Sequence, residues 1–470
     1  MTTPTRTSTP QPGPLADPLT DHPRPASMDA GFFGHPRGLA TLFFTEMWER
    51  FSYYGMRAFL ILYMVNALRF DDKHAGSIYG TYTASVWAAA IVGGIIADRW
   101  LGQYKSVLVG GIVIAAGHFT LAFHALPFFY TGLALIVVGT GLLKPNVSGI
   151  VGSLYETNDS RRDAGFSIFY MGINLGAALG PFVAGYLAQR VDWHIGFACA
   201  GVGMTLGLAQ YVLGRKHLRP AMERLDRQRR EARTKPAAAS HASAPAPNEP
   251  TFAGFTTVEW KRLGAMAVFF VFAAVFWGAY EQAGSTLNLF GDRYTRTSIL
   301  GFDFPSSWFL SVQAVFVILL APVFAWLWVR LGKREPSTPT KFAIGLFFIG
   351  LSFVFLLMPA YRLQASPGIR VSPFWLIGCY FIQELGELSI SPVGLSVFTK
   401  LSPVKIVGFM LGVWFLADSV GNKAAGFAAG FISSAPLPQL FGVIAAVCLG
   451  AAVVAFAIIK PVRRLMGGVH

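Results

Sequence analysis

Charged residues and cysteines are scarce in this sequence, and each scarcity excludes a class of protein. Only 13% of its 470 residues are Asp, Glu, Lys or Arg, whereas soluble domains usually contain about 25%. The three cysteines, Cys199, Cys379 and Cys448, lie in apolar stretches, and their spacing fits neither a disulfide framework nor a metal site. No His-Glu-x-x-His motif or nucleophile constellation is present, so we expect neither a metal centre nor an enzyme.

Long hydrophobic runs are abundant in the sequence. Hydrophobic residues make up 53% of the chain, and the mean hydropathy is +0.50. Runs of about 20 apolar residues, each long enough to cross a bilayer core of roughly 30 Å, recur along its length. The net charge of +14 could indicate a nucleic-acid partner, but basic loops in a membrane protein are more simply explained as topology signals. The sequence therefore predicts an all-α integral membrane protein that contacts lipid and binds no nucleic acid.

The apolar runs form two groups of six, separated by a basic stretch. They fall at 39–68, 76–98, 106–126, 131–154, 164–187, 194–213, 263–283, 306–329, 341–361, 373–399, 406–431 and 438–460. From these positions we expect five regions. They are a disordered cytoplasmic tail (1–37), a first six-helix half (38–213), a basic cytoplasmic linker (214–262), a second six-helix half (263–460) and a cytoplasmic C-terminal tail (461–470).

The loops indicate the orientation and the fold. Lys and Arg are more frequent in the loops on the linker side, so the positive-inside rule places this side and both termini in the cytoplasm. The loop after the second run (94–105) and the loop after the eighth (328–334) both combine a glycine with basic residues. Two similar halves joined by a cytoplasmic linker predict a major facilitator fold of 12 transmembrane helices, with substrate bound at mid-membrane between the halves.

One face of the first apolar run is strongly polar. Helical spacing brings six residues to this face, namely Glu46, Glu49, Arg50, Tyr53, Tyr54 and Arg57. A charge near mid-bilayer costs roughly 2.5–3.5 kcal/mol on insertion scales, so these side chains are expected to face protein or water rather than lipid. This face is the first candidate for the functional site.

Further charged residues lie inside the predicted membrane helices. Lys144 precedes Pro145 midway along the fourth run, where the proline loosens the helix, and we expect it to point into a cavity. Glu387 lies in the tenth run with Ser391 one turn later, and pairing with Lys144 across the two halves would reduce the cost of both charges. Glu281 lies near the outer end of the seventh run, where it could also belong to a solvated helix terminus.

Four remaining residues each have two interpretations. Asp418 and Lys423 share the eleventh run, and they could form a local structural pair or take part in function. Trp277 and Trp414 could line a cavity or simply pack in a core.

Four sequence motifs carry a resemblance to a known family. They are Glu46-x-x-Glu49-Arg50-Phe51-x-Tyr53-Tyr54, Gly93-Gly94-x-x-Ala97-Asp98, Phe169-Tyr170-x-x-Ile173-Asn174-x-Gly176 and Gly386-Glu387-Leu388-x-x-Ser391-Pro392. Together they resemble the proton-dependent oligopeptide transporter (POT) family, the peptide transporter branch of the major facilitators, over about residues 39–460. The resemblance implies a symporter that imports di- and tripeptides by alternating access, with protons as coupling ions and no other cofactor.

The resemblance also implies roles for individual residues. A basic group would bind the peptide carboxylate, the glutamate of the tenth run would bind the amino terminus, and an asparagine would hold the peptide backbone. The expected substrate-binding residues are Arg50, Tyr53, Tyr54, Lys144, Asn174, Trp277, Gln313, Glu387, Ser391 and Trp414. The expected proton-coupling residues are Glu46, Glu49, Glu281 and Glu387, and the expected outer gate is Arg57 with Glu281.

The sequence departs from the family pattern in a few places. Trp87 stands where many members carry a pocket tyrosine, and Gln313 stands where many carry an asparagine, so the side-chain preference is open. The second run has no histidine of the kind found in animal members, so coupling is expected to rest on carboxylates. Residues 214–260 are too polar to form the two extra central helices common in bacterial members.

Two other functions are compatible with parts of this pattern. One is a proton-coupled carrier of another solute or of drugs. The other is a membrane sensor that binds peptide without transport, which predicts a sizeable soluble domain where the sequence has only a short linker and tails. We expect a multi-pass monomer in the plasma (inner) membrane.

Overall fold

The computed structural model describes residues 30–156, 159–234, 251–252, 254–403 and 406–467. In these residues the chain is almost entirely helical, with three short two-stranded hairpins. The helices are α1 (Arg37–Asn66), α2 (Asp72–Ile96), α3 (Gln103–Leu121), α4 (Leu126–Ser153), α5 (Arg162–Gly180), α6 (Tyr186–Arg190), α7 (Trp193–Leu213), α8 (Arg215–Thr234), α9 (Thr257–Tyr280), α10 (Thr286–Tyr294), α11 (Phe309–Leu331), α12 (Thr338–Ala365), α13 (Phe374–Leu401), α14 (Val407–Ala429), α15 (Leu437–Ala457) and α16 (Ile459–Leu465). The strands are β1 (Ala30–Phe32), β2 (His35–Pro36), β3 (Thr251–Phe252), β4 (Phe255–Thr256), β5 (Ser298–Ile299) and β6 (Phe302–Asp303).

The long helices correspond to the apolar runs of the sequence. Among the described residues, nine helical segments are long and apolar enough to cross a membrane by length and composition. Three more helices, α1, α13 and α14, have comparable lengths and carry charged residues such as Glu49, Glu387 and Asp418. The all-α membrane class is therefore confirmed, and the assignment of these three helices as membrane spans stays a prediction.

The seventh predicted run differs most from its helix. It begins six residues earlier than expected, because Thr256 and Glu259 form a reciprocal capping box at the start of α9. The helix then tightens into a 3₁₀ turn, Glu281–Gly284, and continues as α10 to Tyr294. Glu281 therefore lies at a break inside a long segment and is 5% exposed, so it does not belong to a solvated helix terminus.

The helices pack into two groups that meet along two seams. In the first group α1 packs against α5 and α7, while α4 packs against α2 and α3. In the second group α12 packs against α13 and α15, and α9 packs against α14. The groups meet where α2 packs against α14 and where α5 packs against α11.

Glycines allow the closest helix approaches. A Cβ placed on Gly93 of α2 would lie 1.9 Å from the carbonyl oxygen of Gly141 on α4, so only glycine fits there. Between the two groups, a Cβ on Gly76 would lie 2.4 Å from the carbonyl oxygen of Gly426, and a Cβ on Gly80 would lie 3.0 Å from Cα of Gly426. Small residues of this kind let membrane helices bring their backbones into direct contact.

Two ordered elements lie where the sequence predicted none. Residues 30–36 form the β1–β2 hairpin, whose turn at Phe33 and Gly34 has positive φ angles, so this part of the predicted tail (1–37) is folded. The predicted linker (214–262) begins with α8, whose Leu218 and Ala221 are buried against the first helix group. Residues 1–29, 235–250, 253 and 468–470 lie outside the described residues.

Candidate functional site

A buried ionic cluster lies midway along α1. Arg50 is 1% exposed, and its Nε atom lies 3.3 Å from Oε1 of Glu46 and also bonds the carboxylate of Glu49. Glu46 and Arg50 are one helical turn apart, so the helix itself brings the pair together. Two carboxylates therefore share one guanidinium inside the protein, where removing either partner would leave an uncompensated charge.

Several polar atoms around this cluster have no hydrogen-bond partner among the described residues. They include Glu46 Oε2, Glu49 Oε1, Arg50 Nη2, Tyr53 OH and Tyr82 OH, all of which are buried. Buried polar atoms in native proteins are nearly always satisfied by a partner, so a group of five such atoms marks a functional site. The donors and acceptors suit a polar substrate and proton exchange.

Lys144 on α4 joins this region through an aromatic ring. Its Nζ atom lies 3.5 Å from the centre of the Trp87 ring, which is a cation–π contact. Trp87 stacks in turn on Phe415 of α14, with ring centres 5.9 Å apart and planes 14° from parallel. Pro145 follows Lys144 and cannot donate to the carbonyl of Gly141, which loosens α4 at the charged residue.

Arg57 forms the contact between the helix groups nearest to this cluster. Its Nη2 atom bonds the carboxylate of Glu281, and its Nε atom donates to the hydroxyl of Tyr79 at 2.6 Å. The guanidinium also lies 6.0 Å and 5.9 Å from the ring centres of Tyr53 and Tyr54. The structure therefore brings the predicted gate residues, Arg57 and Glu281, into direct contact.

A cavity of about 60 Å³ lies beside the Arg57–Glu281 pair. Its lining combines residues of both helix groups with a mixture of polar and apolar side chains. They are Tyr54, Arg57, Asn174, Ala177, Tyr280, Glu281, Ala283, Gly284, Leu310, Gln313, Ala314 and Val317. Five predicted site residues line this cavity. It is smaller than the roughly 300–1,000 Å³ of a typical ligand pocket, so in this conformation it has room for water and not for a peptide.

Two buried glutamates face this region from α13. Glu384 is fully buried and accepts a hydrogen bond of 2.9 Å from Tyr280 OH. Glu387 is 5% exposed, and its carboxylate interacts with the hydroxyl of Ser391 one turn later. In the same helix Gln383 accepts a hydrogen bond of 3.1 Å from Gln313.

The structure separates some residues that the sequence analysis had joined. In the described part of the chain, Lys144 and Glu387 form no ion pair; the carboxylates in electrostatic contact with Lys144 are Glu46, Glu49 and Asp418. Asp418 and Lys423 do not pair either, because Asp418 bonds Asn422 and Lys423 bonds Thr81. The reason is geometric. The Trp87 ring on α2 contacts both Lys144 of α4 and Phe415 of α14, whereas Glu387 lies on a different helix, α13.

The two tryptophans have different surroundings. Trp414 is 7% exposed and packs on Phe398 and Phe342, with ring centres 5.2 Å and 6.4 Å apart, in the apolar core of the second group. Trp277 packs edge-on against Tyr280 at 5.3 Å, next to the cavity lining.

The sequence analysis missed Tyr79, Tyr280 and Glu384 as members of the site. Tyr79 and Tyr280 lie in apolar helices, where an aromatic residue resembles a packing residue, and nothing in the local pattern indicates their ionic partners. Glu384 offered a signal, because a charge one turn before Glu387 in a membrane helix needs a polar environment.

Comparison with known proteins identifies relatives of the whole chain. The family model described as POT family matches residues 104–241 and 253–458. The peptide transporter YePEPT of Yersinia enterocolitica is 38% identical, with 93% of this chain and 96% of the relative covered. A di-/tripeptide transporter of Lactococcus lactis is 35% identical over 93% of this chain and 98% of the relative. A crystal structure of a peptide transporter POT in complex with sulfate is 40% identical, superposes with a TM-score of 0.82, and covers 93% of this chain and 97% of its own.

Proposed function

The chain belongs to the POT family of transporters, and from this premise we propose that it is a proton-coupled symporter importing di- and tripeptides. The relatives named for peptide transport match nearly the full length of the chain, which supports peptide as the substrate class. The fold is that of a multi-pass membrane transporter of the major facilitator type, and the protein is not an enzyme. The proposal requires protons as coupling ions and no other cofactor.

The distribution of buried charge between the two helix groups is the observation that carries this proposal. Arg50 and Lys144 lie on the first helix group, whereas Glu384 and Glu387 lie on α13 of the second. A zwitterionic peptide needs a cation near one end and an anion near the other, at a separation that two helix groups can set. Arg50 and Lys144 would bind the carboxylate, and Glu387 would bind the amino terminus.

The remaining site residues would recognise what all peptides share. Tyr53 and Tyr54 would help to hold the carboxylate, and Asn174 and Gln313 would bond the peptide backbone. Ser391 and Trp277 complete the proposed substrate-binding set. Trp414, which was expected in this set, packs on Phe398 and Phe342 and is assigned to the core instead. One site can accept many peptide sequences if it binds the peptide termini and backbone and leaves the peptide side chains in loose apolar space.

Alternating access would depend on the Arg57–Glu281 pair. The contact between Arg57 and Glu281 supports a conformation in which this pair would hold the outer side closed, so that release would occur toward the cytoplasm. Protonation of Glu281, Glu46 or Glu49 would release Arg57 or Arg50 and permit the outer side to open. Moving one proton inward contributes about 2.3 kcal/mol per 100 mV, which corresponds to about fortyfold accumulation of peptide.

The proposed setting is the plasma (inner) membrane, with both termini in the cytoplasm and a monomer as the working unit. The excess of basic residues on the linker side supports this orientation.

Uptake of labelled dialanine into proteoliposomes tests the function directly. With an inward proton gradient we expect accumulation above the outside concentration, and a protonophore should reduce it to simple equilibration. Unlabelled tripeptides should compete, whereas single amino acids and lipophilic drugs should not. Gradient-driven uptake of another solute without competition by peptides would indicate a different carrier, and peptide binding without uptake would indicate a sensor.

A further inference from the structure

Asp418 is a buried carboxylate that the proposed transport cycle has not yet used. It lies midway along α14, is 6% exposed, and accepts a hydrogen bond of 2.8 Å from Asn422 one turn later. That amide is uncharged, so it does not neutralise the carboxylate. A membrane helix retains such a charge only where a cation or water compensates for it, which makes the surroundings of Asp418 informative.

The packing of α14 places Asp418 between two other helices. Its neighbour Ser419 donates to the carbonyl of Ala84 on α2 at 2.8 Å, so that side of α14 rests on the first helix group. On the other side, a Cβ on Gly421 would lie 2.6 Å from Cβ of Trp277, so the backbone of α14 touches α9. Asp418 lies between these two contact faces and is directed into the interior of the transporter.

Charged groups from three other elements surround this carboxylate. Lys144 on α4, Arg57 on α1 and Glu281 after α9 all interact electrostatically with Asp418, and so does the Tyr54 ring on α1. Asp418 therefore lies between the outer pair and the basic group that would bind the peptide carboxylate. The helices α2 and α13 also pack against α14, and their buried ionisable residues include Tyr79, Tyr82, Tyr380, Glu384 and Glu387.

Of the two cations near Asp418, only one is available for a new partner. Arg57 already bonds Glu281 and Tyr79. Lys144 contacts the Trp87 ring, and no carboxylate lies within ion-pair distance of it among the described residues. Trp87 also stacks on Phe415, one turn before Asp418, so the ring connects Lys144 to the same stretch of α14.

We propose that Asp418 is the counter-charge of Lys144 in the second helix group and binds a proton whose movement is coupled to transport. The inference rests on the proposed transport function. A peptide carboxylate that binds Lys144 removes the cation that stabilises the Asp418 carboxylate. Asp418 then takes up one proton from a hydronium ion in the outward-open pathway, so that an O–H bond forms on the carboxylate and a water molecule is left. That proton is released to water on the cytoplasmic side when Lys144 is free again.

Asp418→Asn tests this role, because it keeps the size and the bond to Asn422 and removes the charge. We expect proton-driven dipeptide accumulation to fall at least tenfold and to lose its dependence on external pH, whereas counterflow exchange of dipeptide without a gradient stays within twofold of wild type. Asp418→Glu should restore the pH dependence in part. Lys423→Gln on the same helix, whose lysine bonds Thr81 instead, is the matched control and should accumulate peptide normally.

A double variant separates a specific role from general damage. In a Lys144→Gln background, Asp418→Asn should cause no further loss, because its effect is exerted through Lys144. Normal accumulation and pH profile in Asp418→Asn, loss of exchange together with accumulation in both Asp418 variants, or fully additive effects in the double variant would each overturn the proposal. Failure of the wild type to accumulate any peptide would instead contradict the proposed function.

Discussion

Asp72 on α2 accepts hydrogen bonds from both terminal nitrogens of Arg293 on α10, at 2.6 and 2.8 Å. Ser433, just beyond α14, bonds the same carboxylate at 2.5 Å. This contact joins the two helix groups at the start of α2 and near the ends of α10 and α14. It is separate from the Arg57–Glu281 pair and lies closer to these helix ends. The proposed outer closure would therefore have two ionic layers, of which sequence analysis predicted only the inner one.

The outer layer should affect how often the outer side opens. Asp72→Asn removes an ion pair worth about 1 kcal/mol at a partly exposed position, so the ratio of open to closed forms should rise about fivefold. Spin labels at Lys73 and Leu300, on opposite groups, should then report a larger population of long distances. The exchanged pair Asp72→Arg with Arg293→Asp should reverse the shift, and unchanged distances in Asp72→Asn would show that this layer does not contribute to closure.

Tyr79 should stabilise the inner layer through its bond to Arg57. Tyr79→Phe removes a hydrogen bond to a charged group, worth about 1.5–3 kcal/mol, so the outer side should open at least tenfold more often. Tyr82→Phe is the matched control for opening, because the Tyr82 hydroxyl has no hydrogen-bond partner among the described residues. The same spin-label distances, measured without peptide, would report the effect. Equal behaviour of the two variants would contradict a role for the Tyr79 hydroxyl.

Trp87 should set the position of Lys144. Trp87→Ala removes the cation–π contact, worth about 1 kcal/mol, and the KM for dipeptide uptake should rise about fivefold. Trp87→Tyr, which supplies the residue found in many relatives, should retain most of the affinity and change the preference for the peptide side chain. A panel of alanyl dipeptides with small, large and charged second residues would measure both effects. An unchanged KM in Trp87→Ala would rule out this positioning.

Glu49 should carry the coupling at the inner cluster. Glu49→Gln removes a charge that Arg50 shares with Glu46, so proton-driven accumulation in proteoliposomes should be abolished while exchange of labelled for unlabelled peptide continues. The uncoupling should be visible as uptake that no longer responds to a pH gradient. Intact gradient-driven accumulation in this variant would exclude Glu49 from proton coupling.

The amino-terminal hairpin should detach at low pH. Burial, reinforced by the charge of Arg161, lowers the pKa of His35 below its usual value of 6.5. The bond to Tyr155 OH, at 2.9 Å, therefore uses neutral His35, and burial raises the pKa of Tyr155 to about 12 so that its hydroxyl remains a donor. Because the docked hairpin binds a proton less well than the free one, its stability is complete above about pH 6.5 and is lost as the pH falls through the lowered pKa.

Hydrogen exchange of the amides in residues 30–36 would measure this docking. Protection, corrected for intrinsic rates, should be high at about pH 7.5 and much lower at about pH 5. Tyr155→Phe should lower protection already at the higher pH. Protection that does not change between the two pH values would contradict the prediction.

Sequence reasoning reached the polar face of α1 because its period is that of a helix and its charges cannot face lipid. It predicted that Lys144 pairs with Glu387, but the described residues contain no such ion pair. Several other helices carry a carboxylate, and only their packing decides which of these comes near Lys144. The roles of Tyr79 and Asp72 depend on contacts with Arg57 and Arg293 across the two groups, and a local pattern contains no information about them. The helix α8 was missed because its many charges resemble a linker and its buried Leu218 face is narrow.

The contact of Gly76 and Gly80 with Gly426 has a mechanical consequence. Two backbones touch there with no side chains between them, so neither surface has rotamers that must rearrange when the helices tilt. We expect the two helix groups to pivot about this contact, while the ion pairs beside it stabilise the closed form. A methyl group at Gly426 would force the two helix groups apart at this point. We expect it to lower the rate of the conformational change more than the affinity for substrate.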